Sequence, residues 1–338
     1  MTSEDRPFRI VAIGGGTGLA TLLRGLKAYA RVSGSRPSQH RPTVDITAVV
    51  TVTDDGGSSG RLRRAFDVPP PGDIRNCMVA LSEDEALLSQ LFQHRFRSGL
   101  GLKGHSFGNL FVTALSEVTG DFTRAVKLSC EVLASAGRIF PSTETNVTLK
   151  ARLANGSVVA GESRISRSRS PIKEVRLDPR ECRPLPETLK AIAEADLITF
   201  GPGSLYTSVI PNVLVKGIPE AIHESPALKA YIVNLMWQPG ETINYSAADH
   251  VEAIDRHAGT RLVDYVVVNT KAIPESALGP YAQQQAHPVA VDAGRLREMG
   301  LHLVEGEFLE ESPKVRHNPA ALAPAVLELA AQGRRQRK

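Results

Sequence analysis

The sequence predicts an α/β protein built on a doubly wound, mostly parallel sheet, with a small antiparallel β insert. Three observations carry that prediction. The chain opens with an apolar strand, Phe8–Ile13, that runs into Gly14-Gly15-Gly16-Thr17-Gly18 and then into a segment with apolar residues at helical spacing. The same theme returns at Leu197–Phe200, followed by Gly201-Pro202-Gly203-Ser204. Strand-period and helix-period segments alternate over most of the 338 residues, as they do in parallel βαβ units.

The elements follow in order. The first helix is expected from about Thr17 to Arg31, and the polar, Pro-containing Ser33–Pro42 is expected as a surface loop. Val44–Val52 reads as a buried strand ending in Thr53-Asp54-Asp55, and the glycine-rich Gly56–Arg64 as a flexible loop. After the turn Pro69–Gly72, Asp73 is expected to cap a helix reaching about Leu81, with another helix over Glu85–Phe96. Ser106 is placed to cap Phe107–Val118, and Phe122–Ser135 reads as a further helix.

Near Thr145 the period changes. Val147–Leu153 alternates, Asn155-Gly156 supplies a hairpin turn, Val158–Ile165 returns, and Ile172–Leu177 adds a third strand. Helix Leu185–Ala195 then precedes strands at Leu197–Phe200, Ala230–Met236, Tyr265–Asn269 and Pro288–Val291. Ser246 is placed to cap Ala247–His257, and Asn318-Pro319 to start a last helix, Ala320–Ala331. The expected organisation is one α/β domain over residues 8–315, with the hairpin insert near 145–178 and a C-terminal helix and basic tail over 316–338.

Composition narrows the function classes. Hydrophobic residues make up 42% and charged residues 22%, so a substantial core is available. The net charge of +4 is mild, and part of it sits in Arg334-Arg335-Gln336-Arg337-Lys338, expected as a solvated, frayed end. No basic stripe with interleaved aromatics occurs, so nucleic acid is not an expected partner. Cys77, Cys130 and Cys182 form no CxxC pair and read as free thiols of a reducing compartment. The polar Met1–Pro7 and the lack of a long apolar run point to a cytoplasmic protein without a membrane span.

Candidate ligand-binding residues gather in the loops that follow strands. Gly14, Gly15, Gly16, Thr17 and Gly18 lead into a helix start, where free backbone N–H groups and the helix dipole favour a phosphate. The motif is neither a P-loop nor a complete dinucleotide fingerprint, since Leu19 or Thr21 stands where a third glycine belongs; a tight turn that binds nothing is the alternative. Asp54 and Asp55 suit a ribose or sugar hydroxyl, or a magnesium ion held against a bound nucleotide, with an ordinary Asx turn as the alternative. Arg61, followed by Arg63 and Arg64, suits a phosphate clamp.

Arg75 and Asn76 fall in the first turn of a helix, where a cation points to an anion or to the aspartate pair. His105 and Asn109 flank a capped helix start, although a lone His there is more often packed than reactive. Gly201, Gly203 and Ser204 supply the second glycine turn, and two such turns can flank a cleft at a topological switch point. Glu241 is a candidate base or sugar-hydroxyl ligand, with a plain turn residue as the alternative. His250 and His257 read as structural.

Six motifs, in unbroken order from about Ile10 to Asn269, resemble those of the YvcK family, the gluconeogenesis factors, relatives of the CofD 2-phospho-L-lactate transferase. They are Gly14–Gly18, Thr53–Arg63, Pro71–Asn76, His105–Asn109, Gly201–Ser208 and Gln238–Thr242. The resemblance implies a cytoplasmic protein that binds a nucleotide sugar such as UDP-N-acetylglucosamine and serves cell shape and envelope synthesis during gluconeogenic growth. Envelope-synthesis proteins would be its partners, and a homo-oligomer is compatible with it. The CofD branch instead implies a transferase that joins a phospholactyl unit to a deazaflavin precursor with magnesium. A nicotinamide-dependent oxidoreductase is a third reading, disfavoured by the missing glycine. The chain departs from the family pattern at Ile243-Asn244, where Asp-Gly is usual.

Overall fold

The computed structural model describes residues 6–30, 43–83 and 86–337. Its strands are β1 (Phe8–Gly14), β2 (Val44–Val50), β3 (Arg138–Pro141), β4 (Thr148–Leu153), β5 (Val158–Ala160), β6 (Ile172–Asp178), β7 (Leu197–Phe200), β8 (Leu228–Ile232), β9 (Tyr265–Asn269) and β10 (His302–Gly306). Seven of them form a parallel sheet in the order β10-β9-β8-β7-β1-β2-β3. The remaining three form a separate antiparallel sheet, β5-β4-β6.

The strand order reverses between β1 and β7. From β1 the chain builds outward through β2 and β3; from β7 it builds the other way through β8, β9 and β10. Ile13 pairs with Phe200, so the loops that leave these two strands emerge side by side. The inner strands do not alternate: Ile10–Ile13 of β1 and Ile46, Ala48, Val49 and Val50 of β2 are all buried, because helices cover both sheet faces.

Much of the expected order of elements is present, with instructive differences. The first helix spans Gly16–Lys27; its expected end at Arg31 and the loop Ser33–Pro42 lie outside the described residues. Gly56–Arg64 is not a flexible loop but lies largely within the helix Gly57–Phe66. Asp54 Oδ1 accepts a hydrogen bond from Gly56 N at 2.8 Å, and Ser58, Ser59 and Leu62 bury against the body. Asp73 is not the cap of its helix: Pro71 holds that position, and Asp73 lies buried inside the first turn of Gly72–Leu81.

The returning strand β5 stops at Ala160, and Glu162–Ile165 turns into a short helix, because Ser163 N is drawn 2.8 Å from Asp55 Oδ1. Pro288–Val291 makes only isolated bridges, from Pro288 to Met236 and from Ala290 to Ser246. Strands β3 and β10 and the helix Ile218–Glu224 were not expected.

Through Arg337, the last described residue, the basic end is not frayed. The last helix runs from Pro319 to Gln336, and Arg334 Nη2 lies 2.6 Å from the buried Asp196 Oδ2. The Arg334 guanidinium also sits 4.2 Å from the centre of the Phe8 ring, the geometry of a cation–π contact. The three cysteines are free, with Cys77 and Cys182 buried. No described helix is long and apolar enough to cross a membrane.

Candidate functional site

A cleft of about 430 Å³ opens where the two glycine turns meet. Gly15, Gly16, Thr17 and Gly18 form one wall, and Gly203 and Ser204 face them. Gly16 has φ +64, a left-handed conformation that favours glycine, and so swings the chain from β1 into its helix. Gly18 answers to the neighbouring turn rather than to a ligand: a Cβ there would lie 2.4 Å from Pro202 O. First-turn N–H groups have no partner within a helix, and those of Thr17 and Gly18 belong to residues that line the cleft.

Gly14 and Gly201 do not line it; both are buried, at the end of β1 and just after β7. Asn234 Oδ1 accepts from Gly203 N at 3.3 Å, and Gln238 Nε2 donates to Ser204 Oγ at 2.6 Å, so the segment after β8 fixes the second turn.

The other expected residues form an adjoining polar cluster at three helix starts. Asn109 Nδ2 donates to Ser59 Oγ at 3.2 Å, and His105 Nδ1 lies 3.0 Å from Ser58 Oγ. Arg61 Nη2 donates to Lys103 O at 2.8 Å, and Arg75 Nη2 to Asn76 Oδ1 at 2.8 Å. Burial, aided by Arg95, lowers the pKa of Arg75 from its ordinary value. Asp73 joins this cluster to the glycine turn: a Cβ on Gly15 would lie 2.6 Å from its Oδ2. Burial, and then the charge of Asp54, raise Asp73 to about 7, against the opposing pull of the Gly16 N–H.

The adjacent aspartates turn to different partners. Asp54 faces Gly56 N and neighbours Asp73, whereas Asp55 Oδ1 accepts from Ser163 N of the insert. Asp54, rather than Asp55, is the charge that acts on Asp73. Among the described residues no group of three or more His, Cys, Asp or Glu is arranged for a metal ion. Neither Asp54 nor Asp73 lines the cleft, so the pair does not fit a magnesium ion arriving there with a nucleotide.

Glu241 is neither a surface turn residue nor a cleft ligand. It is buried, and it accepts from Thr207 Oγ1 at 3.0 Å, Tyr206 N at 3.2 Å and Ser166 Oγ at 3.1 Å. Burial raises its pKa, and these donors oppose the shift. His250 and His257 are structural, each with Nδ1 at 2.7 Å from the carbonyl four residues earlier. Asn244 stands at φ +64, which asparagine tolerates better than most residues, so the turn survives the departure from Asp-Gly.

Sequence reasoning missed Glu162, Tyr281, Arg316 and His317, all of which line the cleft. Burial pushes His317 down to about 4. Burial, then Asp73, Asp54, Glu241 and Asp55, push Glu162 up to about 10. A signal for His317 was present in its place just before the Asn318 cap, which anchors it to the last helix. Glu162 had none, since it reads as a strand position.

A larger groove of about 880 Å³ lies elsewhere, lined by the first halves of β1 and β2 and the helices Phe122–Val132 and Pro186–Glu194. Ligands of open α/β sheets bind beyond the carboxyl ends of strands. The ion pairs Arg9–Glu194, Arg138–Asp45 and Lys127–Glu187 already neutralise that groove. The smaller cleft is the better candidate.

Residues 10–309 match the family described as 2-phospho-L-lactate transferase CofD. The chain is 47% identical over 320 residues to the gluconeogenesis factor of Halalkalibacterium halodurans, covering 94% of this chain and 95% of that one. It is 47% identical over 322 residues to the gluconeogenesis factor of Bacillus subtilis, covering 95% and 98%. A crystal structure of a UPF0052 family member from Bacillus halodurans superimposes with a TM-score of 0.89 at 46% identity, covering 95% of this chain and 99% of the other. A parallel sheet that reverses between two glycine turns, and relatives matched over nearly their full length, place this chain in the CofD family, among the gluconeogenesis factors of the YvcK (UPF0052) type.

Proposed function

We propose that this chain is a cytoplasmic regulatory protein that binds a nucleotide sugar of the UDP-N-acetylglucosamine type and serves envelope synthesis and cell shape during gluconeogenic growth. The diphosphate would lie between the two glycine turns, on the N–H groups of Thr17 and Gly18. The observation that carries this reading is the adjacency of those turns at the reversal between β1 and β7. Arg316 supports it: it is the one Lys or Arg among the described residues of the cleft wall, and guanidinium pairs well with phosphate.

Calorimetric titration with UDP-N-acetylglucosamine, GDP and NAD tests the reading. The expected result is binding of the UDP sugar, weakened about tenfold or more by Arg316→Ala. Tight GDP binding without a UDP-sugar response would contradict it. The matched family model favours a second reading, phospholactyl transfer; magnesium-dependent product from a deazaflavin acceptor would establish that instead.

A further inference from the structure

Among the described residues of the cleft wall, Glu162 is the one acidic side chain. It comes from the antiparallel insert rather than from the parallel sheet, in the short helix that follows β5. Its Oε2 is buried and has no hydrogen-bond partner. A buried polar atom without a partner costs stability, and most such atoms in folded proteins are satisfied. An orphaned oxygen on the wall of a ligand cleft therefore marks a place where the ligand supplies the missing bond.

Two ties hold the segment of Glu162 in place. Ser163 N donates to Asp55 at 2.8 Å, and Ser166 Oγ donates to Glu241 at 3.1 Å. Glu241 in turn accepts from Tyr206 N and Thr207 Oγ1, in the turn of π-helix that follows the second glycine loop. The insert is thus fastened to the loop that borders the cleft, and the position of Glu162 is set by the same contacts that shape the binding wall.

Chemistry restricts what this carboxyl can meet. Burial and the surrounding carboxylates favour the neutral form of Glu162, so it offers phosphate no ion pair and is matched to the uncharged half of the ligand. A hydroxyl both donates and accepts, so it satisfies a carboxyl group in either protonation state. We infer that Glu162 is the specificity-determining residue of the cleft, pairing with a hydroxyl on the sugar half of a nucleoside diphosphate sugar. This rests on the reading of the cleft proposed above.

Calorimetry on wild type, Glu162→Gln and Glu162→Ala, each with UDP-N-acetylglucosamine and with UDP, tests it. The wild type should favour the sugar nucleotide over UDP, and Glu162→Ala should weaken the sugar nucleotide about tenfold while leaving UDP unchanged. Thermal melting of the ligand-free variants should show no loss, and Glu162→Ala should melt higher, because an unsatisfied buried group has been removed. A merely structural residue would lower the melting temperature. If wild type binds both ligands and Glu162→Ala weakens them equally or not at all, the assignment falls and the cleft reading stands. If wild type binds neither, both fall.

Discussion

At the scale of single residues, burial sets the chemistry of the cleft. His317 is held near neutral charge because its surroundings exclude water, which takes its pKa down to about 4. The unfolded chain keeps an ordinary value of about 6.5. Between those values the unfolded state binds more protons than the folded one, so stability falls as pH falls through the window. The loss from this one residue reaches about 3 kcal/mol by pH 4. Urea unfolding of wild type and His317→Gln at pH 7 and pH 4.5 checks it: the gap in stability between the two proteins should shift against wild type at the lower pH. An unchanged gap would show that His317 is not the titrating group.

At the scale of elements, the two glycine turns act as one unit. Gly18 lies so close to Pro202 that an added methyl must push the turns apart. Gly18→Ala should therefore cost about 1–3 kcal/mol of stability, read as a lower melting temperature, and weaken nucleotide binding as well. Wild-type melting and affinity would show that the turns do not depend on that contact.

This pairing was legible in the sequence because each turn is local: a strand, its glycines and a helix start lie within about fifteen consecutive residues. The caps at Ser106 and Ser246 were legible for the same reason. Gly56–Arg64 misled because its helix depends on burial of Ser58, Ser59 and Leu62, which no local pattern announces. Strand β3 is too short, at four residues, to show a period. Glu162, Arg316 and His317 reach the cleft from distant segments, so their meeting with Gly16 depends on the tertiary fold alone.

At the scale of the whole molecule, the two ends of the chain are joined under the sheet. Asp196, 2% exposed, accepts from Arg9 N at 2.9 Å and from Arg334 Nη2 at 2.6 Å, tying β1 to the last helix just before β7 begins. Removing one partner of a buried pair leaves the other charge uncompensated. Asp196→Ala should accordingly lose about 3–5 kcal/mol in denaturant unfolding, whereas an effect below about 1 kcal/mol would mean that the tie is a surface contact.

The same architecture carries both glycine loops to the carboxyl ends of the strands, opposite the larger groove at the strand beginnings. The deciding question is which end of the sheet receives the ligand. A crystal structure of the protein with UDP-N-acetylglucosamine decides this most directly. It should show the diphosphate within hydrogen-bonding distance of Thr17 N and Gly18 N, facing Gly203 and Ser204. Ligand density in the groove between Phe122–Val132 and Pro186–Glu194 instead would contradict the account.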